Sequence, residues 1–209
     1  VGDVALLNVQ QLQARLGVTV DGKIGPATLA ALFERAGAKS DVAAELGLAA
    51  NVHFRTYGIL DTPLRLAHFM AQCAHESGGF KYDREVWGPT DTQRGYEGAA
   101  RLGNDQPGDG KRFLGRGPGQ LTGRSNYRIY GRKLGIDLEK RPELVEIWSI
   151  GLLVFCAYWD TYNLNGFADA DQVFAVSNGI NRGNAFSDRE PNGWADRQRR
   201  LAAMKGLIL

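Results

Sequence analysis

The sequence predicts a mostly α-helical chain, on three observations. Apolar residues recur at helical spacing in separate windows, as Val9, Leu12 and Leu16 do. Prolines stand where helices open, at Gly25-Pro26 and at Asp61-Thr62-Pro63, where a missing N–H costs nothing. Strand signals are few, with one short ribbon expected near 113–122. With 209 residues, 44% of them apolar, the chain is long enough to bury a substantial core. A formal net charge of +2 leaves no footprint for nucleic acid. No run approaches the roughly 18 uninterrupted apolar residues of a membrane span, so stable membrane insertion is not expected.

The elements follow in order. Residues 3–35 read as a helix–loop–helix: Gly17 ends the first helix, Asp21-Gly22 makes a turn, and Pro26 opens the second, ATLAALFERA. Such a unit is too small to hold much core alone and needs a neighbour to pack on. A helix over Asp41–Tyr57 begins the second part, with Ser40 or Asp41 as its N-cap. The helix Leu64–Ser77 carries Leu66, Met70, Cys73 and Ala74 on an apolar face. His68, Gln72 and Glu76 follow at i, i+4 and i+8 as a polar ridge. Gly78-Gly79 stops it, and glycine-rich loops run through 88–119. Further helices are expected at Asn126–Leu134, Leu144–Tyr162 and Trp194–Lys205. The last places Arg197, Arg199, Arg200 and Lys205 among Leu201, Met204 and Leu207, the pattern of a surface helix with one packed side. Cys73 and Cys156 lie in apolar runs and read as buried, reduced thiols.

The chemistry concentrates in AQCAHESGGFKYDRE, residues 71–85. Glu76 and Glu85 sit on different local elements, and two carboxylates facing across a cleft are the minimum for glycoside hydrolysis. Glu76 lies near a helix C-terminus beside an apolar run. Dipole and desolvation there both favour the neutral acid that a proton donor must be. Glu85 lies in KYDREVWG with Lys81 and Arg84 close in sequence, which favours the ionised form and suits a base. The pair alone fits equally well a solvated Glu85 and a capped Glu76. No metal or cofactor is expected. HES is not H-E-x-x-H, and the glycines of GRGPGQLTG lack the G-x-x-x-x-G-K-[ST] pattern of a nucleotide loop. Trp87, Tyr82 and Tyr96 are candidates to stack on sugar faces, and each fits a core as well.

Two resemblances bear on that choice. The V-x-x-L-Q-x-x-L-G helix, the D-G-x-x-G-P turn (Asp21, Gly22, Gly25, Pro26) and the T-x-x-A-L helix (Thr28, Ala31, Leu32) resemble the small peptidoglycan-binding module of bacterial and phage cell-wall hydrolases. AQCAHESGGF, then Glu85, FLGRGPGQLTGRSNY at 113–127 and SNGINRG at 177–183 resemble family 19 glycoside hydrolases, which include plant-type chitinases and a branch of endolysins. The resemblances imply a wall-binding module at 1–38 and a lysozyme-like helical catalytic domain at 39–209. They imply Glu76 as general acid, Glu85 as the base that activates water, and Thr122 as a holder of that water. Gln120, Asn126, Tyr127 and Asn181 would line the sugar groove, with Trp87 a further stacking candidate. The family inverts, which implies carboxyls roughly 6.5–9.5 Å apart. It usually carries an aliphatic residue where Gly119 stands, which implies a looser groove floor here.

The expected function is that of an endolysin of muramidase type, a monomer whose partner is bacterial peptidoglycan. The alternatives are a chitinase, a lytic transglycosylase and a non-catalytic wall binder. VGDVALLNVQQLQ lacks a basic segment followed by an apolar run. The expectation is therefore synthesis in a host cytoplasm without a signal peptide, and release to the wall, for example through a membrane pore.

Overall fold

The computed structural model describes residues 6–209, so the first five residues of the expected 1–38 unit lie outside it. Two helices open the chain, α1 (Val9–Leu16) and α2 (Pro26–Ala36). Asn8 caps α1, its side chain accepting from the Gln11 N–H, and Gly17 closes it in the left-handed conformation. Between the helices the turn is held by one buried side chain. Gln13 Nε2 donates to Asp21 Oδ1 at 2.7 Å and to Thr28 Oγ1 at 3.1 Å, while its Oε1 accepts from the Gly22 N–H at 2.8 Å. The D-G-x-x-G-P turn is thus a closed polar knot, which explains why the sequence needs Gln13 there.

Next come α3 (Ser40–Thr56) and α4 (Pro63–Glu76). Lys39 is the N-cap residue of α3 and supplies no side-chain bond, whereas Thr62 caps α4 by accepting from the Arg65 N–H at 3.1 Å. Nearly all of α4 from Leu66 to Ala74 is buried, including His68 and Gln72. It is the axis of the fold, not a half-exposed amphipathic helix. Two short helices follow in the loop region, α5 (Asp91–Arg94) and α6 (Asp109–Arg112), and then α7 (Arg124–Leu134). The helix expected from Leu144 is interrupted. Pro142–Glu146 forms a 3₁₀ turn and Ile147 is extended, so α8 runs only over Trp148–Thr161. Residues 164–182 hold two helices that the periodicity did not reveal, α9 (Leu164–Asp169) and α10 (Val173–Arg182). The last helix is α11 (Trp194–Ile208).

Among the described residues no strand forms. The ribbon expected near 113–122 exists as two antiparallel bridges, Arg84 to Arg116 and Arg116 to Leu121.

One hydrophobic cluster runs from the first helices into the rest of the chain. Leu12, Leu29, Leu32 and Phe33 share it with Phe54, Phe69, Phe155 and Trp159. The rings form a path: Phe33 to Phe54 at 6.1 Å, Phe54 to Phe69 at 5.0 Å, and Phe69 to Phe155 and Trp159 at 5.0 and 5.1 Å. The contact of α2 with α3 is close because Gly47 has no side chain. A Cβ there would lie 2.6 Å from the Pro26 carbonyl oxygen and 2.7 Å from the Ala30 nitrogen. The expected boundary at residue 38 falls in the turn between α2 and α3, and the packing crosses it.

This shared core gives a test. Phe33→Ala removes a fully buried ring at a cost of about 3–5 kcal/mol. It should lower the midpoint of a single calorimetric transition for the whole chain. A separate early transition with the main one unmoved would mean that the first two helices are an independent unit.

Candidate active site

Glu76 is the last residue of α4, as expected, but its neighbour is not the apolar wall that local sequence suggests. Arg197 on α11, only 1% exposed, donates from Nη2 to Glu76 Oε1 at 2.5 Å. The same guanidinium donates from Nη1 to Gln72 Oε1 and from Nε to the Asn192 carbonyl at 2.9 Å. Gln72 in turn donates to Ser177 Oγ on α10 at 3.1 Å. The polar ridge of α4 is therefore an internal seam that ties α4 to α10 and α11. No group among the described residues bonds Glu76 Oε2.

The turn after Glu76 is built as tightly. Ser77 Oγ donates to the Cys73 carbonyl at 2.7 Å and accepts from the Phe80 N–H at 2.8 Å. Phe80 sits at φ 61°, a conformation costly for a bulky residue. Its ring is held edge-on against Phe33 at 5.2 Å, so the packing supports the strained turn. His75, beside Glu76, bonds Asp196 through Nδ1 at 2.7 Å. Burial pushes the Asp196 carboxyl up, but the bonds from His75 and Arg200 more than offset it and bring it down to about 2. The basic side of α11 is thus largely neutralised. Arg199 and Arg200 pair with Asp196, and Lys205 pairs with Asp171.

Glu85 stands on the bridged segment. Its N–H donates to the Gly115 carbonyl at 2.8 Å, and the Gly117 N–H donates to the Asp83 carbonyl at 2.6 Å. Lys81 and Arg84 do not bond Glu85. Arg84 turns instead to Glu146, at 3.6 Å. The partners of the Glu85 carboxyl are neutral donors, Tyr96 Oη on Oε1 and the Gly115 N–H on Oε2, both at 3.3 Å. Burial raises the Tyr96 phenol above its ordinary range, and the adjacent Glu85 charge raises it further. Thr122 lies on the neighbouring bridged piece. A Cβ built on Gly115 would lie 3.2 Å from Thr122 Oγ1, which places that hydroxyl beside the residue whose N–H reaches Glu85. Thr122 Oγ1 donates to the Gln120 carbonyl at 3.0 Å, which leaves its lone pairs to accept. Gln120 itself is held at φ 50°.

A cleft of about 790 Å³ opens beside these groups. Gln120, Asn126 and Asn181, expected at a sugar groove, line it, and so does Thr122, expected to hold water. So do Tyr96, the partner of Glu85, and Tyr158, whose phenol is raised by burial, by neighbouring tyrosines and by the charge of Glu76. Neither Glu76 nor Glu85 lines the cleft itself; Glu85 is joined to it through Tyr96. Two expected residues lie away from this cleft. Tyr127 is fully buried, its hydroxyl donating to the Leu114 carbonyl at 2.8 Å and accepting from Arg116 Nη1 at 3.0 Å. It braces the ribbon from behind. Trp87 is half-buried and does not line the cleft.

The floor is not loosened by Gly119. A Cβ there would lie 2.3 Å from the Phe155 ring, so the ring occupies the place of an aliphatic side chain. The start of α7 is tied to α6 and to the turn that follows α7. Arg124 pairs with Asp109 at 2.5 Å and Glu139 at 3.1 Å, and Arg128 pairs with Glu139 at 2.8 Å. Bonds from Arg128 and Arg124 bring the Glu139 carboxyl down to about 2.

Residues 39–165 match the glycoside hydrolase family 19 model described as chitinase class I. The chain belongs to glycoside hydrolase family 19. It is 35% identical over 156 residues to a glycosyl hydrolase family 19 domain-containing protein of Haemophilus influenzae, covering 60% of this chain and 75% of that one. An endochitinase of Arabidopsis thaliana is 30% identical over 178 residues, covering 83% of this chain but only 59% of its own length. In three dimensions the chain resembles a bacterial family 19 chitinase, with TM-score 0.55, 20% identity and coverage of 95% and 93%. Chitinase C from Streptomyces griseus gives TM-score 0.54 at 20% identity, with coverage of 99% and 78%. At that identity the likeness is one of fold, and it agrees with the expected helical, lysozyme-like architecture.

Two predictions follow. Arg197→Ala leaves Glu76 and Gln72 facing a buried void. It should cost about 3–5 kcal/mol in urea unfolding, whereas a loss under 1 kcal/mol would show that the seam contributes little. Glu139 and Asp196 have depressed folded values, so their contribution is full above the unfolded carboxylate range and is lost as pH falls toward about 2. The melting temperature should therefore drop as pH is lowered from about 4 to about 2. Glu139→Gln should start lower at pH 7 and show a shallower drop.

Proposed function

We propose that this family 19 hydrolase acts as an endolysin that hydrolyses β-1,4 glycosidic bonds of bacterial peptidoglycan, as a muramidase and with inversion. The observation that supports the hydrolytic part is a pair of carboxyls on separate supports, with Tyr96 linking Glu85 to a cleft that the Thr122 hydroxyl lines. Glu76 protonates the leaving oxygen through Oε2, since Oε1 is held by Arg197. Glu85 takes a proton from water on the opposite face of the sugar, and Thr122 accepts from that water and orients it. Asn126 donates from Nδ2 to the Thr122 carbonyl at 2.8 Å and steadies this segment. The second carboxyl favours hydrolysis over transglycosylation, which needs one acid alone.

The choice of peptidoglycan rests on the first helices. Their D-G-x-x-G-P turn borders a groove of about 580 Å³ lined by Gln13, Thr19, Asp21, Lys23 and Thr28. In this reading the groove holds wall material and raises the enzyme's local concentration at an insoluble substrate. The enzyme works as a monomer in the envelope, after release from the cytoplasm that made it. A chitinase is the second reading, favoured by the endochitinases among its relatives.

The test is turnover of purified peptidoglycan and of soluble chitin oligomers by the full chain and by Glu76→Gln and Glu85→Gln. Each substitution should lower turnover by at least about 100-fold, with wall binding retained. New MurNAc reducing ends establish the muramidase. Cleavage of chitin oligomers alone establishes the chitinase, and retained activity in Glu76→Gln removes the acid role.

A further inference from the structure

Three arginines line the cleft that the catalytic residues flank: Arg101 in the 3₁₀ turn Ala100–Leu102, Arg182 at the end of α10, and Arg189 in the loop that follows. None of the three forms an ion pair among the described residues. Elsewhere the chain neutralises its cleft-side and core cations with care, as Arg116 with Glu146 and Arg197 with Glu76. Arg182 is held in place by neutral oxygens only. Its Nε donates to Asn178 Oδ1 at 3.2 Å and its Nη2 to the Glu190 carbonyl at 2.8 Å, so the guanidinium is oriented without being discharged. Among the described residues no aspartate or glutamate lines the cleft. Asp188 and Glu190 flank Arg189 in the chain but do not line it.

A neutral GlcNAc polymer offers such a set hydroxyl and acetamide oxygens but no opposite charge. Guanidinium groups in a partly enclosed cleft bind carboxylates by charge-assisted and often bidentate hydrogen bonds. We infer that Arg101, Arg182 and Arg189 form a carboxylate-recognition rim, which makes the cleft selective for a glycan strand bearing acidic substituents. The inference rests on the glycosidase reading of the same cleft and names what that reading leaves open, the charge of the substrate. In peptidoglycan the carboxylate has two sources, the lactyl group of a peptide-free strand or the acidic residues of a stem peptide.

The test is binding, so that it does not depend on turnover. Full-length Glu76→Gln protein is titrated with peptide-free strands, with strands that keep their stem peptides, and with both after their carboxyls have been amidated. Carboxylate strands should bind about tenfold or more tightly than amidated ones, the scale of one charge-assisted hydrogen bond. The preference should shrink as salt is raised. In the Arg101→Gln, Arg182→Gln, Arg189→Gln triple variant, checked for an unchanged circular dichroism spectrum, the ratio should fall to near one. A preference on peptide-free strands assigns the lactyl carboxylate, and one confined to peptide-bearing strands assigns the stem. A ratio near one on both kinds of strand overturns the inference, as does a preference that survives the triple substitution. Turnover of the same strands by the unsubstituted chain is read separately. Its absence would remove the hydrolase reading while leaving the binding result intact.

Discussion

Arg197 is the group on which the site depends. It is a buried cation that satisfies a side-chain amide, a main-chain carbonyl and the Glu76 carboxyl at once. Removing a guanidinium from water is costly unless its donors are matched, and α4 and the loop before α11 supply the match. The consequence is positional. Glu76 stands at a helix end where fraying is ordinary, yet its Oε1 is fixed to an element far along the chain. A proton donor must be held to within a fraction of an ångström, and a seam through the core does this better than a loop.

The second constraint is the aromatic path from Phe33 to Phe155. At one end it accepts the edge of Phe80 and stabilises the strained turn after Glu76. At the other its last ring fills the cleft floor under Gly119. The first two helices are therefore mechanically part of the site's foundation, whatever they also bind. The ribbon that carries Glu85 and Thr122 has no sheet to lean on. It is held by the Arg116–Tyr127–Leu114 bonds.

Much of this was legible in the sequence because it is local. Pro63 and the Gly78-Gly79 pair bound the helix that ends at Glu76. Asn126 and Asn181 reach the cleft from positions set by short motifs. What was not legible depends on distant partners. Nothing near Glu76 announces Arg197, and no pattern at 164–182 separates α9 and α10 from loop. Tyr127 shows how little displacement matters: one residue past Asn126 on α7 turns the side chain by about 100°, out of the cleft and into the core. Gly119 misled for a similar reason, because the volume it lacks is supplied by Phe155 on α8. That Arg101, Arg182 and Arg189 form no ion pair among the described residues was invisible for the converse reason, since it is read only from the placement of residues distant in sequence.

The central claim is that two carboxyls cooperate on a water molecule at this cleft. The most direct measurement is mass spectrometry of the products released from peptidoglycan in ¹⁸O-labelled water, with borohydride reduction of the new ends. The account predicts one ¹⁸O at each new reducing end, on MurNAc. Unlabelled anhydro-MurNAc would contradict it, because water would then take no part in bond cleavage.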